Sequence, residues 1–331
     1  MPVKNEEWIL KQTLTAASLW ADSIIIADQN SEDATPEICA EFPKVVYIRN
    51  THVGLHQSHA RQLLLDTARR LYGVDNLIFV LDADEVLSAN VMDSASFWRT
   101  TALLMPGQSA VLQWIMLWRS VDVYRDDASI WAHNWKAFIF RDNGVYNYLE
   151  KRISEPRMPE QFLQSAITIT DVKVLHFEFV NWNRLLAKQR RYRVFDYLQR
   201  MTLVSALKVN RMYWETKNER GLRLTRTPTE WWVGYEGIFS EADMQHPQRW
   251  YWYDKNVLEQ IIAHGPAQLS WLDIWDINWR EVYIDLHGKQ VTVPRQLIDP
   301  RSVVQKLYHR WAQKYVAYNT LFTRLLKLFK I

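Results

Sequence analysis

Apolar and polar positions alternate in blocks over the first 90 residues. Glu6–Leu19 carries Ile9, Leu10, Leu14 and Ala17 at helical spacing, which predicts a helix with one apolar side. Ser23–Ala27 (SIIIA), Val45–Ile48 and Leu77–Leu81 (LIFVL) are short apolar runs, the pattern of strands buried on both faces. Between them, Asp33–Phe42, entered through Ser31, and His56–Tyr72, closed by Gly73, predict helices. Short buried strands alternating with helices predict an α/β fold with a mostly parallel sheet flanked by helices. Such a domain usually opens on a strand, whereas only Pro2 and Val3 stand where that strand should end. An unpaired gap beside a buried strand is unfavourable, so the expectation is a missing first strand and further residues before Met1.

Beyond residue 90 the pattern loosens. Ala110–Leu117 and Lys136–Arg141 predict strands, Ala166–Phe177 one or two more, and Asn181–Arg200 a charged helix. Residues 205–300 are tryptophan-rich. Within them Gln248–His264 predicts a helix, and Glu281–Val293 a hairpin turning at His287-Gly288. From Ser302 a long amphipathic helix is expected. Val304, Leu307, Tyr308, Trp311, Tyr315, Tyr318, Phe322, Leu325, Leu326 and Phe329 recur every three or four residues, and Lys306, Arg310 and Lys314 run along another side. No repeat or flexible linker interrupts the chain. The expected organisation is one core over 1–200, a Trp-rich extension over 201–300 and a basic helix over 301–331.

Composition narrows the class. At 48% hydrophobic and 23% charged the chain is ordinary globular material, not disordered and not a multi-span membrane protein. No apolar run approaches membrane-spanning length, and MPVKNEEWIL lacks the pattern of a signal peptide. A lone cysteine, Cys39, excludes an intramolecular disulfide and a Cys-rich zinc site, and fits a reducing compartment. The 17 tryptophans point to large flat apolar surfaces in a core or a cleft. Net charge is only +3, but its distribution matters: residues 301–331 hold seven Lys/Arg and no Asp/Glu, leaving 33 basic against 37 acidic residues before them. A mildly acidic body argues against a nucleic-acid-binding module. The basic, aromatic tail either docks on the domain's own core or lies on an anionic membrane surface. The expected location is cytoplasmic, peripheral on the inner membrane face if the tail engages lipid.

Three segments carry candidate chemistry. Asp82-Ala83-Asp84-Glu85 directly follows LIFVL, at the strand end where open α/β sheets bind ligands. Crowded carboxylates repel, a divalent cation relieves that, and oxygen ligands suit Mg²⁺ or Mn²⁺. A helix N-cap at Asp84 is the plainer reading. Asp28-Gln29-Asn30-Ser31-Glu32-Asp33-Ala34-Thr35 puts another acid at a strand end. There Asp28 can accept from a nucleobase N–H and Ser31 can cap the next helix, although a well-capped turn also explains the segment. Gly54 to Arg61 is a glycine turn into a helix. Arg61 can hold a base or phosphate bidentately, or be an ordinary surface arginine.

Taken in order, Pro2-Val3-Lys4-Asn5-Glu6-Glu7, D-x-x-S-x-D-x-T, G-x-x-x-x-x-A-R and a strand ending in D-A-D-E resemble family 2 glycosyltransferases of the GT-A, Rossmann-like fold. The resemblance spans residues 2–200 and is most specific over 2–90, with Gln62 where Asn is usual after the arginine. It implies a nucleotide-binding half, 1–90, and an acceptor half, 91–200. Pro2 and Asn5 would lie near base and ribose, Asp28 on the nucleobase, Arg61 on the base or diphosphate, Asp82 on ribose or metal, and Asp84 on the Mn²⁺ or Mg²⁺ ion. Further on, Lys136–Arg141 (KAFIFR) resembles the K-x-x-x-F-R strand of lipopolysaccharide-type members. Arg152-Ile153-Ser154-Glu155 stands where relatives often carry His-Glu, so only Glu155 transfers. Leu175-His176-Phe177 with Lys188 and Tyr192 resembles their H-(aromatic)…K…Y pattern. His176 would complete the metal shell or touch the diphosphate, unless it is simply a satisfied histidine ending a strand. Lys188 and Arg191 would neutralise phosphate or face solvent.

The implied function is that of an inverting, hexosyltransferase-like, metal-dependent glycosyltransferase. It would move a sugar from a nucleoside-diphosphate sugar donor to a saccharide or lipid-linked acceptor in cell-surface polysaccharide or lipopolysaccharide synthesis. Inversion needs a Lewis acid for the leaving diphosphate and a carboxylate base for the acceptor hydroxyl. Glu155 is the expected base, with Asp126 and Asp127 behind it unless they form a surface turn. Trp114, Trp118, Trp131 and Trp135 either line the acceptor cleft or pack the core. Two alternatives stay open. A sugar nucleotidyltransferase would normally show a Gly-rich first loop, which PVKNEE lacks. A degenerate, non-catalytic nucleotide-sugar-binding or scaffold protein is disfavoured by the intact DADE and favoured by Ser154.

Overall fold

The opening blocks fold in the predicted order: β1 (Pro2–Val3), α1 (Glu7–Ser18), β2 (Ile24–Asp28), α2 (Thr35–Ala40), β3 (Val45–Arg49), α3 (Gln57–Tyr72) and β4 (Leu77–Phe79). A computed structural model of the chain describes residues 1–51, 57–129, 131–149, 156–217, 219, 221–239, 244 and 248–315. β2 lies between β1 and β3, parallel to both, with Pro2 opposite Ala27 and Ile24 opposite Val45. Pro2 and Val3 thus occupy the strand position that the sequence leaves almost empty. Leu10, Leu14 and Ala17 of α1 pack with Val3, Ile24 and Ile26, which is why the helix needs one apolar side. α3 ends at Gly73, whose φ of 76° suits a residue without Cβ.

The mostly parallel sheet is corrected. β4, β5 (Glu85–Leu87), β6 (Ser109–Met116), β8 (Asn134–Arg141) and β9 (Ala166–His176) form a second, five-stranded sheet in the order β4-β8-β6-β9-β5. Only its β6–β9 pairing is parallel; β4–β8, β6–β8 and β5–β9 are antiparallel. An apolar run such as LIFVL, half-buried as β4, does not specify direction, so the pattern alone cannot exclude antiparallel neighbours. β9 is one strand whose register against β6 shifts between Val111 and Gln113. β7 (Val123–Arg125) pairs antiparallel with β10 (Leu224–Arg226), and α4 (Ala95–Ala102) follows β5.

Contacts divide the chain into two units, Met1–Asn181 with Arg223–His246, and Trp182–Leu222 with Pro247–Ile331. All three sheets belong to the first. Residues 223–239 join it through β10 and through Trp231 and Tyr235, which pack with Val86, Ile115 and Phe177. The second unit is helical, built from α5 (Trp182–Leu198), α6 (Leu203–Lys217), α7 (Trp252–His264), α8 (Trp279–His287) and α9 (Val303–Tyr315). Val194, Val257, Leu258, Ile261, Leu272 and Trp279 fill its core. The expected hairpin at 281–293 is also corrected, since its first half is α8. Asn278 caps it by accepting from the Arg280 N–H at 3.1 Å, Trp279 and Val282 face inward one turn apart, and Gly288 (φ 95°) ends it. The His-Gly pair is a helix stop here, not a hairpin turn. Among the described residues no helix is long and apolar enough to cross a membrane.

Candidate active site

The loops after β1 and β2 are laced together. Asn5, Glu6 and Glu7 lead into α1, and their N–H groups donate to Ser31 Oγ (2.8 Å), Thr35 Oγ1 (3.0 Å) and Asp33 Oδ2 (3.0 Å). In return Asn5 Oδ1 accepts from the Glu32 N–H, and Glu7 Oε2 from the Ala34 N–H. The D-x-x-S-x-D-x-T segment therefore satisfies the orphan donors at the start of α1. This corrects the role expected of Ser31, which caps no helix of its own but bridges Asn5 to Asp28. Asp28 is buried. Its carboxylate accepts from the Ser31 N–H and hydroxyl and from Tyr47 Oη at 2.6 Å. Burial, then that bond to Asp28, raises the Tyr47 phenol above its ordinary value.

The second acid cluster sits where β4 runs out and the chain turns into β5. Here distant residues converge. Arg61, buried on the first turns of α3, donates to the Pro156 carbonyl at 2.9 Å and lies 3.9 Å from Asp82. Arg157 lies 3.3 Å from Asp82 and binds Glu85 bidentately at 2.5 and 2.7 Å. Its guanidinium also rests over the rings of Trp114 (5.0 Å) and Phe138 (4.7 Å). Burial by itself would raise the Asp82 carboxyl, but Arg157 and Arg61 outweigh it and hold Asp82 below the usual range. Burial likewise opposes the charge on Arg157, and Glu85 and Asp82 more than offset that, so the guanidinium stays ionised.

Asp84 faces elsewhere. Its Oδ2 lies 3.5 Å from His176 Nε2, brought alongside because β5 pairs with the end of β9, Glu85 opposite His176. Glu178 Oε2 is 3.8 Å from the same nitrogen. The imidazole stacks on Trp114 at 4.6 Å, with Nδ1 3.2 Å from Met116 Sδ. Burial disfavours the imidazolium, yet Asp84, then Glu178 and Glu85, raise His176 above its ordinary value. Among the described residues no three His, Cys, Asp or Glu side chains are already arranged around an ion. The donor chemistry nevertheless fits a divalent cation at Asp84: a carboxylate oxygen and an imidazole nitrogen converge, whereas Asp82 is already neutralised by arginine.

The remaining expected residues are dispersed. Asp127 accepts from Arg125 Nε (2.7 Å) and the Ser129 N–H (2.8 Å), and Asp126 is held by Thr225 and Arg223 (both 3.2 Å) and His133. Glu155 lies outside the described residues. Pro2 is a strand residue on β1. Arg141 of the KAFIFR strand forms a bidentate pair with Asp75. Lys188 and Arg191 are on α5 in the second unit, Arg191 over Trp252. Trp118 stacks on Phe179 and Trp131 meets it edge-on, so both are packing residues. Trp135 is exposed, with Lys173 over its ring.

Sequence reasoning missed Arg157, Trp114's place against His176, and Glu178. Arg157 belongs to no motif, and only folding brings it to Glu85. Glu178 carries a usable signal, being two residues past His176 in H-F-E. It also missed a cavity of about 290 Å³ in the first unit, walled by Trp232, Tyr235 and Phe239 and rimmed by Asp122 and Glu236. Tyr235 Oη donates to the Leu87 carbonyl, tying this wall to β5.

A family model described as glycosyl transferase family 2 matches residues 1–93. The match supports a family 2 glycosyltransferase-like domain over that segment, and hence a transferase with a nucleotide-sugar donor and an acceptor. No curated protein matches the chain.

Proposed function

We propose that this protein transfers a sugar, with inversion, from a nucleoside-diphosphate sugar to a hydroxyl of a saccharide or lipid-linked acceptor, using Mn²⁺ or Mg²⁺. One observation carries the reading. Two acids in a three-residue turn are treated oppositely, Asp82 by arginines and Asp84 by an imidazole, at the end of the segment that matches the family model. Asp84 and His176 would hold the ion, which when bound supplies Lewis-acid stabilisation to the leaving diphosphate. Asp82, already ionised, would keep Arg61 and Arg157 facing the diphosphate and accept from the ribose. Asn5 and Pro2 would border base and ribose. Asp28 reaches a nucleobase N–H once Tyr47, itself partly exposed, swings its hydroxyl away.

Inversion is one in-line displacement. The acceptor oxygen bonds to the anomeric carbon as the bond to the diphosphate oxygen breaks, its electron pair leaving with the phosphate. The hydroxyl proton passes to a carboxylate. Glu155 is the proposed base and Glu178 the second candidate, because it lies beside His176. Asp126 and Asp127 rank below both, since their lone pairs are committed to Arg125, Arg223, Ser129 and Thr225. The aromatic cavity at Trp232 is the surface we assign to the acceptor, since flat rings stack on sugar faces and carboxylates accept from hydroxyls. Lipopolysaccharide or polysaccharide synthesis is the proposed setting, on resemblance alone.

Calorimetry of UDP, GDP, dTDP and CDP, each with and without Mn²⁺, tests the reading on the full chain and on Asp84→Ala. One nucleotide should bind only with metal, and the variant should weaken it about tenfold or more, equivalent to ~1.4 kcal/mol. Absence of binding to all four would remove the donor assignment.

A further inference from the structure

The last described helix is mounted inside out. α9 (Val303–Tyr315) meets the second unit through polar side chains one turn apart. Gln305 Nε2 donates to Ser270 Oγ (3.1 Å), His309 Nε2 lies 3.1 Å from the Trp271 carbonyl, and Gln313 Nε2 donates to Asp273 Oδ2 (2.9 Å). Gln305, His309 and Ala312 are buried. Four apolar residues face the other way: Val303 is 74% exposed, Leu307 58%, Trp311 42% and Tyr315 43%. They are spaced by four, so they form one continuous stripe. A helix that packs on a core normally buries that stripe and exposes its polar side. Here the inward contacts are those hydrogen bonds together with Ala312 and Tyr308 against Trp214, and a separate apolar stripe is left outward.

The stripe has a charged border. At 100° per residue, Lys306, Arg310 and Lys314 line one edge of it, and no acid occurs in 301–331, where Arg324, Lys327 and Lys330 continue the same sign. An outward face of Val, Leu, Trp and Tyr beside a row of cations is complementary to one surface in particular. Apolar side chains enter the acyl boundary, aromatic rings sit at headgroup level, and cations meet anionic headgroups. We propose that α9 is a membrane-docking face that seats this protein on an anionic lipid bilayer, lying in the interface plane. The proposal rests on the exposed face of α9 and is independent of the chemistry at Asp84.

Co-sedimentation of the full chain with vesicles tests it, comparing phosphatidylcholine alone with phosphatidylcholine containing phosphatidylglycerol. The protein should partition into the anionic vesicles and not the neutral ones. Val303→Glu with Leu307→Glu should abolish partitioning while the melting curve is unchanged, because both side chains are more than half exposed. Arg310→Gln with Lys314→Gln should weaken it about 25-fold, about fivefold for each cation removed near an anionic leaflet. Partitioning that neither variant alters overturns the proposal, as does none at all. Self-association by light scattering, lost in Val303→Glu/Leu307→Glu and unaccompanied by vesicle binding, would overturn it in favour of a second copy of the chain on the stripe.

Discussion

Asp28 closes the apolar strand β2 and Asp82 follows the apolar strand β4 by three residues, yet the two acids are held by opposite kinds of partner. Asp28 is buried and takes its hydrogen bonds from neutral groups, the Ser31 amide and hydroxyl and the Tyr47 phenol, mostly within its own loop. Asp82 is 32% exposed on its side chain and faces two guanidiniums drawn from residues 61 and 157. Neutral local donors build a rigid turn. Long-range cations around a partly open carboxylate build a place where another anion, such as a diphosphate, can be exchanged in. Position near a strand end is therefore shared, and the charge of the partners separates a loop suited to a neutral donor such as a nucleobase N–H from one suited to a diphosphate.

The sharpest break in this comparison is expected at Asp84. Asp84→Asn should lower turnover about 10³-fold, ~4 kcal/mol of transition-state stabilisation, with little change in melting temperature. Nucleoside diphosphate release from the matching donor measures it, and near-normal turnover would place the chemistry elsewhere. Next comes Arg157→Leu, which strands the fully buried Glu85 without its bidentate partner. A loss of about 3 kcal/mol in urea unfolding is expected, partly recovered by adding Glu85→Gln. An equal loss in the double variant would mean that Arg157 acts by packing on Trp114 and Phe138 and not by charge.

Asp273 sharpens the contrast from the second unit, because it combines both kinds of partner. Burial would raise its carboxyl, but Arg193 and Lys217, then Trp214 Nε1 and Gln313 Nε2, outweigh that and lower it from 3.8 to about 2. A depressed carboxyl stabilises the fold above its unfolded-state value and ceases to do so as pH falls through the folded one. Asp273→Asn should therefore cost about 2 kcal/mol at neutral pH, with the gap to wild type closing between pH 4 and pH 2. A gap independent of pH would assign the loss to hydrogen bonding alone. The smallest effect is expected at Ser31→Ala. Removing the acceptor for the Asn5 N–H should cost about 1 kcal/mol of stability and leave turnover within about threefold. A loss of turnover as steep as that of Asp84→Asn would erase the distinction between the two loops.

Much of the first 90 residues was legible because its patterns are strong: SIIIA and the α1 face bury residues at the spacing their elements require, and LIFVL, half-buried along β4, buries Leu81. The convergence of Arg61, Asp82, Asp84 and His176 was legible only through resemblance, since 21 positions separate Arg61 from Asp82 and 94 separate Asp82 from His176, and no local pattern spans such gaps. Arg157 was not legible at all. A lone arginine in a polar stretch carries no period, and its burial depends on Glu85, Trp114 and Phe138 arriving from three strands. The hairpin reading at 281–293 failed because His-Gly stops a helix as readily as it turns a hairpin. Which it does depends on Trp279 and Val282 finding the second unit's core.

Alone, then, the order of residues determined which segments are buried, where helices stop, which acids follow strands and how strongly the tail is charged, because these are local properties of composition and spacing. Tertiary structure decided the rest: that β4 pairs antiparallel with β8, that residues 223–239 return to the first unit, that Asp28 is capped while Asp82 is ion-paired, and that α9 turns its apolar stripe outward. Strand direction, charge pairing and helix rotation are set by whichever distant surfaces meet, and a period along the chain records only that a face is apolar, not what it faces.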